Sequence, residues 1–229
     1  MFFLVDDKKK IIIGWSPKCG CSRIKKIFWF LQNNNIYNVI HTKNDFYTLP
    51  NNIEDYETII FTRNPYKRII SGYLEKYNKN NGNFTYFWKH EKNTFSLFVD
   101  ELIKGNWEMV EKHHFEKQTG FCFDKYKITR SKSLKIYDIE NNDYSYLEKL
   151  YEKKIPEELL IFNLMGHERK KFNKNFEEPV YDLDMDIYYH YNVNTRFFYN
   201  EEIKNKVYNF FIDDFTFFKD NGIDYEIST

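Results

Sequence analysis

The sequence predicts an α/β fold in which a central parallel sheet is flanked by helices, and three observations carry that expectation. Short β-branched runs alternate with segments of helical periodicity. The run Ile11–Trp15 leads through a polar turn containing Gly20 into an amphipathic stretch that ends at Leu31. A second such passage follows residues 58–62, where Asn64 and Pro65 mark a helix start. At 229 residues the chain is long enough to bury a real core, and it has no internal repeat or dividing linker, so one domain over residues 1–229 is expected.

Strands are expected at residues 11–15, 37–41, 58–62 and 134–139. After the first, Ile24, Ile27, Phe28 and Leu31 recur at helical spacing. After the third, Asn64 suits the N-cap and Pro65 the first helical position. Tyr66, Ile69, Ile70, Tyr73, Leu74 and Tyr77 then form a buried stripe, which leaves Ser71 off the stripe near Lys67 and Glu75. The Asn-rich stretch 78–93 reads as a loop, and Phe95, Phe98, Val99 and Leu102 mark a short helix. Residues 107–123 contain His113, His114 and Cys122, and residues 163–198 have no clean period and read as irregular. A last helix runs from about Asn200 to Phe218, capped by Asn200, with Glu201 and Glu202 in its first turn and Ile203, Val207, Phe210 and Phe211 buried.

Composition excludes several function classes. Lys plus Arg and Asp plus Glu both number 34, so no net charge draws the chain to nucleic acid, and none is expected as a partner. The chain contains no alanine, and Asn, Lys, Ile, Phe and Tyr abound, as the codons of an AT-rich genome would dictate. The 20% aromatic content is therefore not read as a functional signal. No apolar run reaches the roughly 18 residues that a membrane span needs, and the N-terminal apolar stretch is too short for the core of a leader. Three cysteines, an odd number, fit a reducing compartment, and a cytoplasmic location is expected. Cys19 and Cys21 lack a second pair at zinc spacing, so no metal is expected.

The turn after the first strand has the features of an anion cradle. Backbone N–H groups at a helix start, the helix dipole and the ammonium of Lys18 all favour a phosphate-like group. It is not the common nucleoside-triphosphate loop, because Lys18 precedes Gly20 and no Gly-x-x-x-x-Gly-Lys-Ser/Thr is present. The sequence also offers no convincing strand-terminal Asp to hold magnesium. A divergent P-loop nucleotide kinase and a non-catalytic nucleotide-binding module remain the alternatives to the reading that follows.

Pro17-Lys18-x-Gly20-x-Ser22 at the end of a strand, followed by Arg63-Asn64-Pro65 and then Ser71, resembles the sulfotransferases. The similarity is to the membrane-associated carbohydrate branch, of chondroitin and heparan sulfotransferase type. Its further pieces keep the family's order: Phe95 to Leu102, His114-Phe115 with Cys122 after it, Ile136 to Glu140, and Val207 to Phe218. The resemblance implies a P-loop-like three-layer fold and transfer of a sulfuryl group from 3′-phosphoadenosine 5′-phosphosulfate, without a metal, to a hydroxyl acceptor, in this branch a glycan. It also implies that Lys18, Cys19, Gly20, Cys21, Ser22 and Arg23 hold the 5′-phosphosulfate, and that Arg63 and Ser71 hold the 3′-phosphate.

Sulfuryl transfer needs positive charge near the bridging oxygen and a base near the acceptor. Lys18 suits the first need. For the base, His41 ends an expected strand, at the edge where α/β sheets bind ligands. It also stands 22 residues before Arg63, where several sulfotransferases carry their catalytic base. His114 is the competing catalytic candidate and matches a His-aromatic pair of the carbohydrate branch. For Glu140 a fold-supporting salt bridge is expected. The cluster Arg169, Lys170, Lys171 and Lys174 reads as a solvated face. Cys19 and Cys21 replace the small or hydroxyl residues frequent in this loop, which shifts anion binding toward backbone donors.

Overall fold

The computed structural model describes residues 2–33, 49–79, 87–120, 128–160 and 174–227. In chain order its elements are β1 (Phe2–Asp6), β2 (Ile11–Trp15), α1 (Cys21–Asn33), β3 (Glu57–Thr62), α2 (Pro65–Lys76), α3 (Phe95–Ile103), α4 (Lys112–Phe115), β4 (Ser133–Asp138), α5 (Ser145–Tyr151), α6 (Glu157–Leu160), β5 (Asn175–Phe176), α7 (Met185–Tyr188), β6 (Asn192–Val193), α8 (Glu201–Phe210) and α9 (Ile212–Asp220). The expected strand 37–41 with His41, Cys122, and the basic residues Arg169, Lys170 and Lys171 lie outside the described residues.

The fold class is the expected one: mixed α/β, with a four-stranded, mostly parallel sheet flanked by helices, in the order β1-β2-β3-β4. β2 pairs parallel with β3 from Ile11↔Glu57 to Trp15↔Phe61, and β3 pairs parallel with β4 from Glu57↔Ser133 to Thr62↔Asp138. In-register parallel pairing brings the carboxyl ends of the three strands to one edge of the sheet. β1 is one of the elements absent from the sequence expectations. Residues 2–6 form an edge strand antiparallel to β2, and the turn between them is closed by the Asp6 carboxylate, which accepts from the N–H groups of Lys8 and Lys9, each at 3.0 Å.

Contacts divide the chain into two compact units, each built from separated segments: Met1–Arg63 with Gln118–Glu168, and Asn64–Lys117 with Arg169–Thr229. In the first, one cluster joins Ile11, Ile13, Trp15, Ile59 and Phe61 of the sheet to Ile24, Ile27, Phe28 and Leu31 of α1 and to Leu147 and Leu159 of α5 and α6. A second cluster holds Phe3, Ile12 and Ile60 with Ile53, Tyr56 and Ile128. Each of these apolar side chains contributes about 1.5–3 kcal/mol on full burial. Packing of this kind, more than intrinsic propensity, holds a helix as short as α1.

In the second unit α2 starts as expected. The Asn64 side chain accepts from the N–H of Tyr66 at 3.0 Å, Pro65 takes the first position, and all six stripe residues are buried. Phe115 of α4 seats its ring on Gly72 of α2, where a Cβ would come within 2.6 Å of that ring. The C-terminal helix differs from the expectation. It is two helices, α8 and α9, broken at Phe211, and Phe210 is only half-buried while Phe211 is buried. Phe211 keeps its place in the core by ending one helix and starting the next. Among the described residues no helix is long and apolar enough to cross a membrane.

Candidate active site

The loop between β2 and α1 owes its shape to Pro17 and Gly20. Cys19 N–H bonds back to the Ser16 carbonyl at 3.1 Å, and Lys18 has φ +69°. With proline fixing a negative φ at the preceding position, this is a type II turn with Lys18 where glycine or asparagine is usual. Holding a lysine there costs about 1–3 kcal/mol, a strain of the kind that collects at ligand sites. Gly20 follows with φ +74°, and a Cβ on it would lie 2.6 Å from Cγ1 of Ile139. No other residue fits that combination of backbone and space.

The Gly20 carbonyl accepts from Ile24 N–H at 3.0 Å, which starts α1. In its first turn the N–H groups of Cys21 and Ser22 have no carbonyl partner inside the helix, and the positive end of the helix dipole lies with them. Lys18, Gly20, Cys21 and Ser22 are half-buried, and Cys19 and Arg23 are buried. The loop therefore gathers backbone donors and Lys18 at the start of α1. The Arg23 guanidinium is anchored through one of its nitrogens. Its Nη1 donates to Asn142 Oδ1 and to the Leu160 carbonyl, the latter at 3.2 Å. Burial lowers the pKa of Arg23 and the charge of Arg63 lowers it further, while Tyr144 and Glu140 oppose the shift.

Arg63 is the residue that follows β3. Its Nε donates to Glu140 Oε1 at 3.0 Å and its Nη1 to the Lys18 carbonyl at 3.3 Å. Glu140 sits in the 3-10 turn Ile139–Asn141 after β4, with its N–H bonded to Asp138 Oδ1 at 2.8 Å. Three segments that leave the carboxyl ends of β2, β3 and β4 thus meet at one sheet edge, the position where open α/β sheets bind ligands. The salt bridge expected for Glu140 is present, and its partner is a residue of the candidate site.

Ser71 and His114 belong to the second unit. Ser71 is half-buried on α2, and His114 stands on α4 next to Phe115, which rests on Gly72. Glu111 caps α4 by accepting from the N–H of His114 at 3.0 Å and also holds the ring through Nδ1. The His114 carbonyl accepts from Nη2 of the buried Arg68 at 3.0 Å. Burial works to raise the Glu111 pKa, but the bond and charge of His114 and the charge of His113 outweigh it and leave the carboxyl below its ordinary range.

Sequence reasoning passed over Gln118, Glu111 and Asn142. Glu111 carries one readable signal, an N-cap position three residues before His114. Gln118 and Asn142 carry none, because their partners are 55 to 119 residues away in the chain.

A family model described as the sulfotransferase family matches residues 1–220. No curated protein and no solved structure matches the chain.

Proposed function

The chain belongs to the sulfotransferase family, and on that footing we propose that it moves a sulfuryl group from 3′-phosphoadenosine 5′-phosphosulfate to a hydroxyl of a carbohydrate. The observation that carries this reading is the junction of Lys18, the start of α1 and Arg63 at the carboxyl edge of parallel strands. Its donors suit a ligand with two anionic ends. The helix N-terminus and loop N–H groups hold the 5′-phosphate, and the Arg63 guanidinium holds the 3′-phosphate by exchanging its bond with Glu140 for bonds to the ligand. Ser71 keeps the role that the family resemblance gives it. The family match runs through both units, which supports one sulfotransferase domain over 1–229. The thiols of Cys19 and Cys21 suit a reducing, cytoplasmic setting.

In the transfer a bond forms between the acceptor oxygen and sulfur while the bond from sulfur to the bridging phosphate oxygen breaks. The acceptor hydroxyl loses its proton and charge grows on the bridging oxygen. Lys18 neutralises that charge where it develops. His41 takes the proton, since an imidazole titrates near neutrality. One observation favours a second placement of the base. The Glu111 carboxylate on Nδ1 of His114 is the base-and-orienter arrangement that general bases commonly use.

Calorimetry on the intact chain tests the donor site. Two charge-assisted hydrogen bonds to the 3′-phosphate, each contributing about 1.5–3 kcal/mol, predict that 3′-phosphoadenosine 5′-phosphate binds at least ~100-fold more tightly than adenosine 5′-phosphate. Equal affinities would remove the 3′-phosphate site. For the base, His41→Ala is expected to keep nucleotide affinity and lose about 10²–10⁴-fold in turnover. Retained turnover in that variant, with loss in His114→Ala, would move the base to His114.

A further inference from the structure

Gln118 is 2% exposed, and hydrogen bonds of its amide join the loop after β2 to Arg63. Oε1 accepts from the Arg63 N–H at 3.1 Å and from the Cys19 thiol at 3.0 Å, and Nε2 donates to the Arg63 carbonyl at 2.9 Å. The amide thus engages the main chain of Arg63 as a neighbouring strand would, directly past the end of β3. With the same oxygen it holds the middle of the loop that carries Lys18 and Gly20. The orientation of the amide is set by its partners, because a flipped group would turn NH₂ toward two donors and a carbonyl toward a carbonyl.

We propose that Gln118 is a positioning residue that fixes the spacing between the loop at Lys18–Gly20 and the guanidinium of Arg63. The proposal rests on the reading of that edge as the site for a nucleotide with both 5′- and 3′-phosphates. A ligand with two anionic ends gains from both only if the two cradles are set at the right separation beforehand. Arg63 is the single residue between the end of β3 and the N-cap of α2, and the Gln118 amide joins its main chain to the loop beside the bond from its own Nη1 to the Lys18 carbonyl. Gln118 contributes no donor to the ligand. It acts by holding the Arg63 backbone and the Cys19 side chain to one arrangement, since loss of the amide would remove these buried hydrogen bonds.

The test uses the intact chain with Gln118→Met, which keeps the length and removes the polar atoms, and Gln118→Asn, which keeps the amide but is one methylene too short to span Cys19 and Arg63. Two readouts are followed: amide hydrogen exchange at Arg63 and in residues 16–20, and calorimetry with 3′-phosphoadenosine 5′-phosphate and adenosine 5′-phosphate. Both variants are expected to speed exchange at Arg63 and in the loop together and to cut the preference for the 3′-phosphorylated nucleotide by about tenfold, the scale of one buried hydrogen bond. A role confined to stability would lower affinity for both nucleotides alike and leave their ratio unchanged, and that result would overturn the proposal. If the unsubstituted protein shows no preference, the donor reading fails. The exchange readout then still decides on Gln118, because protection unchanged at either segment overturns the coupling and loss at both upholds it. Should Gln118→Met fail to fold, Gln118→Asn supplies both readouts.

Discussion

Replacing Lys18 by alanine is expected to lower kcat for sulfuryl transfer by about 10²–10³-fold, the usual loss when one preorganised group is removed from developing charge. The backbone argues that this variant isolates the ammonium. Lys18 occupies its left-handed conformation at φ +69°, and alanine at that position meets the same steric penalty, so the strain is conserved. The turn is closed by the main chain, from Cys19 N–H to the Ser16 carbonyl, and the Lys18 carbonyl that receives Arg63 is retained. The bridging oxygen carries more charge in the transition state than in the ground state. The loss is therefore expected in kcat, with the dissociation constant of 3′-phosphoadenosine 5′-phosphate changed by less than about tenfold. Steady-state kinetics beside calorimetry separates the two. A kcat within threefold of the unsubstituted protein would remove Lys18 from the chemistry.

The second large effect is on binding. Arg63→Ala is expected to weaken 3′-phosphoadenosine 5′-phosphate by about 10²-fold, from the loss of two charge-assisted hydrogen bonds, and adenosine 5′-phosphate by much less. Thermal stability is expected to fall as well, since the bonds to Glu140 and to the Lys18 carbonyl are lost. The side chains of the Arg63–Glu140 pair are only 15% and 24% exposed, so removing one partner is expected to cost about 1–3 kcal/mol. The main-chain bonds to Gln118 survive the substitution. The variant also leaves the Glu140 carboxylate without its counter-ion at the anion site. Arg63→Ala combined with Glu140→Gln is therefore expected to recover part of the lost affinity. Calorimetry with both nucleotides checks this, and equal weakening of the two would show that Arg63 does not read the 3′-phosphate.

What the sequence disclosed was local. The strand Ile11–Trp15, the turn after it, the cap at Asn64 and the stripe of α2 are each written in fewer than about fifteen consecutive residues, the range over which periodicity and capping speak. β1 was missed because five residues with a charged turn behind them give too short a period to separate a strand from an apolar terminus. The break at Phe211 was missed because helical spacing continues across it, as do the hydrogen bonds from Phe211 to Val207 and from Phe215 to Phe211.

In the candidate site the same division holds. Lys18, Gly20 and Arg63 stand out by chemistry and spacing. The arrangement that Arg63 adopts depends on Glu140, 77 residues on, and on Gln118, 55 residues on. Nη1 of Arg23 bonds to Asn142 and to the Leu160 carbonyl, contacts that exist only after the sheet has formed.

The central claim is transfer of a sulfuryl group from 3′-phosphoadenosine 5′-phosphosulfate to a carbohydrate hydroxyl. The direct measurement is incubation of the purified chain with the ³⁵S-labelled donor and a panel of glycans, with Lys18→Ala in parallel. The expected result is label fixed to at least one glycan by the unsubstituted protein, with stoichiometric release of 3′-phosphoadenosine 5′-phosphate, and none above background by Lys18→Ala. Tight binding of the nucleotide with no label in any hydroxyl-bearing acceptor, or labelling that persists in Lys18→Ala, would contradict it.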